Sequence, residues 1–149
     1  MKRNVIVECA RTYVGTPFVH QGRVKGVGID CVGLPLMVAE ELGLKDKRGE
    51  PLHSRIGEKY SHQPQGNLVH ETVGHYINRK AKPDMKAGDV VTMRFAGATS
   101  HAGIIGDSPE GLTLIHAYSG EGEACVEHLL NDEWRNRIVG VFEFPEVEE

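Results

Sequence analysis

The chain has 149 residues, 40% of them hydrophobic and 26% charged, enough for one globular domain spanning residues 1–149 to bury a core without disulfides or metals. A net charge of −4, with Lys and Arg in no dense cluster, excludes the electrostatic footprint of a nucleic-acid binder. No apolar run reaches the length of a membrane span, so no membrane partner is expected. Glu8 and Arg11 interrupt the basic start before a signal-peptide core forms, which predicts synthesis in the cytoplasm.

Val5, Ile6, Cys9, Ala10, Tyr13 and Val14 recur at helical spacing, and Gly15 and Pro17 end the run. This predicts a first helix with Cys9 facing a core. A glycine-rich stretch, HQGRVKGVGID, follows, and a second helix is expected from about Cys31 to Leu42, with Asp30 as N-cap and Gly43 as the stop. Pro35 removes one early N–H from that helix. Residues 44–67 are polar and carry Pro51 and Pro64, the composition of a long irregular excursion. Helical spacing returns at Leu68, Val69, Thr72, Val73, Tyr76 and Ile77, predicting a third helix to about Arg79. From Gly88 onward the pattern is short and β-branched: DVVTMRF, HAGIIG, LTLIHAY, ACVEHLL and IVGVFEF read as strands of an antiparallel meander, with a helical turn at NDEWRN before the last. Helices first and strands afterwards make an α+β fold in which N-terminal helices pack on a C-terminal antiparallel sheet.

The three cysteines, Cys9, Cys31 and Cys125, are odd in number and unpatterned, which argues against a disulfide framework and for a reducing compartment. Cys31 differs from the others because it sits in GIDCVGL, between a glycine-rich approach and a helix start, with little to pack against. A helix N-terminus and a nearby imidazole lower a thiol's pKa from about 8.5 to roughly 3.5–7.5. That predicts a reactive thiolate at Cys31, with a base supplied by the strands. His101, at the mouth of SHAGIIGD, is the better candidate. A hairpin turning at about Asp107 to Gly111 would bring His116 of LTLIHAY beside it as an orienting third member, and the amides at the helix start would face an oxyanion. His20 is close enough to the glycine loop to line such a site. His53, His62, His70, His75 and His128 read as ordinary surface or core histidines.

Two other chemistries compete. GRVKGVG follows a helix and lacks the G-K-[ST] ending of a phosphate loop. One Cys and two His match a zinc hydrolase ligand set, but His70-Glu71 to His75 misses zincin spacing, standing at i and i+5 where i and i+4 are needed, and no CxxC pair exists.

Taken together, TPFVHQG (Thr16 to Gly22), the D-C-x-G-L motif of Asp30 to Leu34, Gly88-Asp89, His101 in SHAGIIG and His116 in LIHA resemble the NlpC family of bacterial and phage cell-wall cysteine peptidases. The resemblance implies a papain-like α+β core, catalytic Cys31, His101 and His116, no cofactor, and hydrolysis in peptidoglycan stem peptides, typically between γ-D-glutamate and a diamino acid. Phe18, His20, Asp30 and Ser100 are the substrate contacts it implies. Phe18 stands where many members carry a tyrosine. The closing VEHLLNDEWRNRIVGVFEFP resembles the phage-encoded subset, which implies phage tail proteins as partners and delivery to the cell wall with a tail. A non-catalytic tail-assembly component is the alternative within that resemblance.

Overall fold

A computed structural model describes residues 1–54, 56, 68–95, 98–119, 124–145 and 147–148, and of 98–100 the backbone alone. Its elements are α1 (Arg3–Arg11), β1 (Arg23–Val24), β2 (Gly28–Ile29), α2 (Gly33–Leu42), α3 (Leu68–Tyr76), β3 (Asn78–Lys80), a 3-10 turn (Lys82–Asp84), β4 (Val90–Phe95), β5 (Ala98–Ser108), β6 (Gly111–Tyr118), β7 (Ala124–Leu129), α4 (Asp132–Arg137) and β8 (Ile138–Glu143). The mixed architecture of helices on an antiparallel sheet is the one the sequence predicts.

Strands β4 to β7 form the expected meander, and β8 returns to pair with β4 on its far side, giving the order β3-β8-β4-β5-β6-β7 with every pairing antiparallel. Period-two alternation divides the strand residues between two apolar layers. Val90, Ala102, Ile104, Ile115, Ala117 and Phe142 face α1, α2 and α3 in the main core. Val91, Met93, Ile105, Leu114, Ile138 and Val141 form a smaller layer that Trp134 of α4 packs against. Cys9 is buried in the main core, as its helical spacing requires.

Three boundaries differ from the sequence reading. Helix α3 stops at Tyr76, three residues early, because Asn78, Arg79 and Lys80 pair with Glu143, Phe142 and Val141 as a strand. Their polar character leaves helix or edge strand open, and the pairing decides it. The glycine-rich stretch contains the small hairpin β1–β2, unforeseen because two-residue strands carry no periodicity. Helix α2 opens at Gly33, two residues late, and ends as expected at Gly43, whose φ of 69° is the left-handed conformation of a C-cap. Pro35 falls in the first turn, where a missing N–H costs least. Of the predicted excursion, residues 55 and 57–67 lie outside the described residues. Its start is ordered by Asp46, whose Oδ1 accepts from the amides of Arg48 (2.8 Å) and Glu50 (3.0 Å).

At one end of the sheet a charge cluster joins four elements. Asp89, fully buried, accepts from Arg3 (2.8 Å) and Lys80 (3.0 Å), and its Oδ2 also accepts from the Lys86 amide (2.8 Å). Glu143 of β8 accepts from the same two cations, at 2.7 and 3.1 Å. Gly88-Asp89 therefore serves the fold, locking the start of α1 to β3, β4 and β8. At the opposite edge the segment before the glycine loop lies along β7, with the Gly15 amide donating to Cys125 O and the Cys125 amide donating to Thr16 O, both at 2.8 Å.

Asp89→Ala takes the fully buried one of two shared carboxylates from two largely buried cations, and removing one partner of such a network costs about 3–5 kcal/mol. Urea denaturation of the variant should show a loss of that order. A loss below about 1 kcal/mol, the worth of an exposed pair, would show that the cluster does not hold the sheet together.

Candidate active site

Asp30 is 2% exposed and both carboxylate oxygens are engaged by internal donors. Oδ1 accepts from the Gly33 amide (2.8 Å) and from Arg23 Nη1 (2.9 Å), and Oδ2 accepts from the Gln21 amide (2.8 Å). The bond to Gly33 is the predicted capping interaction, made from one turn before the regular helix. Gly33 has no room for a side chain, since an added Cβ would lie 2.9 Å from Gly22 O and 3.0 Å from Asp30 Oδ1. Arg23 adds bonds to Gly22 O (2.8 Å) and Ser54 O (2.7 Å). Asp30 holds the glycine loop, the hairpin and the helix start in one position, and Cys31 is the next residue.

The Cys31 thiol is touched by the amides of Val32 and of Ala102, the peptide that follows His101 in β5. Helix start and base-bearing strand thus meet at the sulfur. Burial pushes the thiol up to about 12, and the Asp30 carboxylate adds to the rise, while the two amides and Arg23 oppose it. That direction is opposite to the lowered pKa expected from the helix start. Sequence spacing showed the helix end that lowers it but not the desolvation, nor that the helix cap is itself an anion one residue away. The Gly33 amide and the Leu34 amide, which donates to Asp30 O at 3.2 Å, are likewise taken by Asp30, so they do not face an oxyanion.

His101 and His116 come together as the hairpin predicts, with the turn between Ser108 and Gly111. Nε2 of His101 lies 2.7 Å from Nδ1 of His116. A register shift between β4 and β5 falls just before the base: Met93 pairs with His101 and Arg94 with Thr99, which leaves Ser100 as the extra residue. Such bulges bend a strand and re-aim the next side chain. The side chain of Ser100 lies outside the described residues. His101 is 7% exposed and His116 fully buried; burial holds them down to about 3 and about 2, so both are neutral at pH 7.

The rings stand in an aromatic enclosure that the sequence did not point to. Tyr118 stacks on His116 (5.4 Å, 27°), Trp134 meets it edge-on at 4.8 Å, and Phe95 meets His101 edge-on at 5.2 Å. Trp134 is placed by Asn131, whose side chain caps α4 by accepting from the Trp134 amide at 3.0 Å. His128, read as an ordinary histidine, belongs to the site: its Nε2 lies 2.9 Å from Nε2 of His116. The alternation of β6 and β7, in which His116 pairs with Val126 and Leu114 with His128, was the available signal. Phe18 bridges to Ile29 and packs half-buried on the same core as Cys31, and His20 is half-buried in the loop that Asp30 holds through Gln21. The imidazole nitrogens point at one another, not at a common centre, and no group of three His, Cys, Asp or Glu among the described residues is arranged for a metal ion.

A protonated, buried thiol has a chemical signature. Iodoacetamide should alkylate Cys31 slowly at pH 7 in the folded protein, with a rate that climbs about tenfold per pH unit through pH 9 as the thiolate fraction grows. A rate already at its plateau near pH 6 would show a preformed ion pair instead.

Comparison with known proteins follows the same lines. The model of the NlpC/P60 family matches residues 15–143. Gamma-DL-glutamyl hydrolase of Bacillus subtilis is 27% identical over 142 residues, which cover 93% of this chain but 29% of that protein, so the chain spans under a third of its relative's length. Among solved structures, the NlpC/p60 domain of the peptidoglycan hydrolase SagA superposes with a TM-score of 0.61 at 24% identity, covering 96% of this chain and 99% of that one. NlpC2 of Trichomonas vaginalis reaches 0.65 at 14% identity, covering 93% and 44%. An N-acetylmuramoyl-L-alanine amidase of Bacteroides uniformis reaches 0.57 at 13%, covering 95% and 98%. With a family match running from just beyond α1 to the last strand, the chain belongs to the NlpC/P60 family, whose members are cysteine peptidases and amidases that act on peptidoglycan.

Proposed function

We propose that the protein is a peptidoglycan endopeptidase that hydrolyses a stem-peptide amide, the bond between γ-D-glutamate and a diamino acid, with Cys31 as nucleophile, His101 as base and His116 as the residue that orients it. The observation that carries this reading is the meeting of the Cys31 thiol with the Ala102 amide of β5, the residue that follows His101, whose ring lies 2.7 Å from His116. The name of the Bacillus subtilis relative supports a γ-glutamyl substrate.

Because burial disfavours both the thiolate and the imidazolium, the proton moves as the bond forms. His101 takes the Sγ proton while sulfur attacks the amide carbon, and the amide of Cys31 donates to the developing oxyanion. Collapse of the tetrahedral intermediate breaks the C–N bond, and His101 returns the proton to the departing amine. Water then attacks the thioester with His101 again as base, releasing the acid and restoring the thiol. The oxyanion is stabilised at the helix start while His116 keeps the imidazole aligned throughout.

Incubation with muropeptides, followed by mass spectrometry, should show hydrolysis by the native protein. Cys31→Ala should give no product, and His116→Leu should lower kcat by about 100-fold or more, the usual worth of a positioned general base. Equal turnover by native protein and Cys31→Ala would remove Cys31 from the mechanism. Absence of turnover by folded native protein on any stem peptide would favour a non-catalytic tail component.

We also propose that a phage tail carries the protein to the wall, on the resemblance of residues 126–145 to the phage-encoded subset. Fractionated particles should then contain it together with tail proteins. Recovery solely as a free species, absent from particles, would overturn this.

A further inference from the structure

The hydrogen-bonded row of imidazoles does not end at His116. His128 Nε2 lies 2.9 Å from His116 Nε2, and His128 Nδ1 lies 2.9 Å from the carbonyl oxygen of Leu129. A carbonyl oxygen only accepts, so His128 Nδ1 carries the proton and donates to it. In a neutral ring the other nitrogen then accepts, which makes His116 Nε2 the donor and His116 Nδ1 an acceptor. His101 Nε2 must therefore donate to His116 Nδ1, and Nδ1 of His101 is left as the basic nitrogen. The opposite polarity would place a protonated Nδ1 on His101, which accepts no proton from sulfur. With His128 neutral, it would also set the lone pair of His128 Nδ1 against the lone pairs of Leu129 O at 2.9 Å.

We infer that His128 is a positioning residue of the reaction: anchored on the Leu129 carbonyl, it sets the direction of the three-imidazole chain and so selects the tautomer in which His101 is a base. This rests on the proposed roles of Cys31 and His101. The surroundings fit the assignment. Trp134 lies 4.8 Å from the ring of His116 and 5.2 Å from that of His128, bridging the two links that the Leu129 carbonyl controls, and Tyr118 stacks on His116 from within β6. His128 itself is half-buried on β7, the last strand of the sheet, so its side chain can be changed with little disturbance of the core.

The test uses three substitutions that differ in what they offer His116 Nε2. His128→Gln presents a carbonyl acceptor to His116 and an amide donor to Leu129, preserving the polarity. His128→Leu offers neither. His128→Lys offers donors alone, which imposes the reverse direction. Two readouts are taken on proteins whose thermal midpoints confirm folding: long-range 15N spectra of the imidazoles, and kcat and KM on the stem peptide. Native protein and His128→Gln should show His101 protonated at Nε2, with kcat within about threefold of each other. His128→Lys should move the His101 proton to Nδ1 and lower kcat by about 100-fold with KM little changed, as expected for a group that acts on the base and not on binding. His128→Leu should fall between them.

A native His101 protonated at Nδ1 would overturn the inference, as would Gln and Lys variants alike in tautomer and kcat. Should the Lys variant fail to fold, the native spectrum and the Gln against Leu comparison decide the same point. Absence of turnover in the native protein would sink the proposed function alone, because the spectra still report the direction of the chain.

Discussion

The buried carboxylate of Asp30 is the constraint on which the site depends. It receives donors from three separate pieces of backbone and side chain, the Gln21 amide, Arg23 and the Gly33 amide, and each of these belongs to a different local element. A glycine-rich loop and a two-stranded hairpin have little apolar surface with which to fix themselves, and the first amides of a helix need partners. One anion satisfies all of these at once. The position of the adjacent thiol follows from that arrangement, and so does its cost, because the same charge opposes ionisation of the sulfur.

The chemistry of the pair is accordingly set by desolvation more than by the helix end. Burial raises the Cys31 thiol and lowers both buried imidazoles, so each group rests in its uncharged form. What the protein pre-organises is direction. Hydrogen bonds of 2.7 and 2.9 Å order the rings so that proton acceptance is built into the ground state, with aromatic neighbours holding the ring planes.

Much of this was legible in the sequence, and the exceptions have physical causes. Cys31, His101 and His116 could be picked out because each sits at a sequence discontinuity, a glycine loop or a strand mouth, and because strand alternation and a hairpin turn are local rules. Helix α2 and its Gly43 terminus, the five strands, and the short helix around Trp134 were readable for the same reason. The edge strand β3 was not, since Asn78, Arg79 and Lys80 have no periodicity of their own and become a strand only when β8 arrives from far along the chain to pair with them. His128 was passed over because its partner lies across β6 and β7, and a cross-strand register is invisible until both strands are placed. The field of Asp30 on the thiol was hidden by its second role, for an N-cap read from sequence carries no sign that it is also buried.

The two ends of the six-stranded sheet have a bearing on how this protein behaves when crowded. Antiparallel sheets with open edges invite strands from other chains. Here one edge is β3, three residues long, with Lys80 turned into the Asp89 and Glu143 cluster. At the other, the backbone at Cys125 is already paired with Gly15 and Thr16, and Glu127 farther along β7 is held by Arg11 at 3.0 Å. Charged and short edges of this kind give a neighbouring strand little to extend, so many copies packed side by side would be discouraged from fusing into a continuous intermolecular sheet.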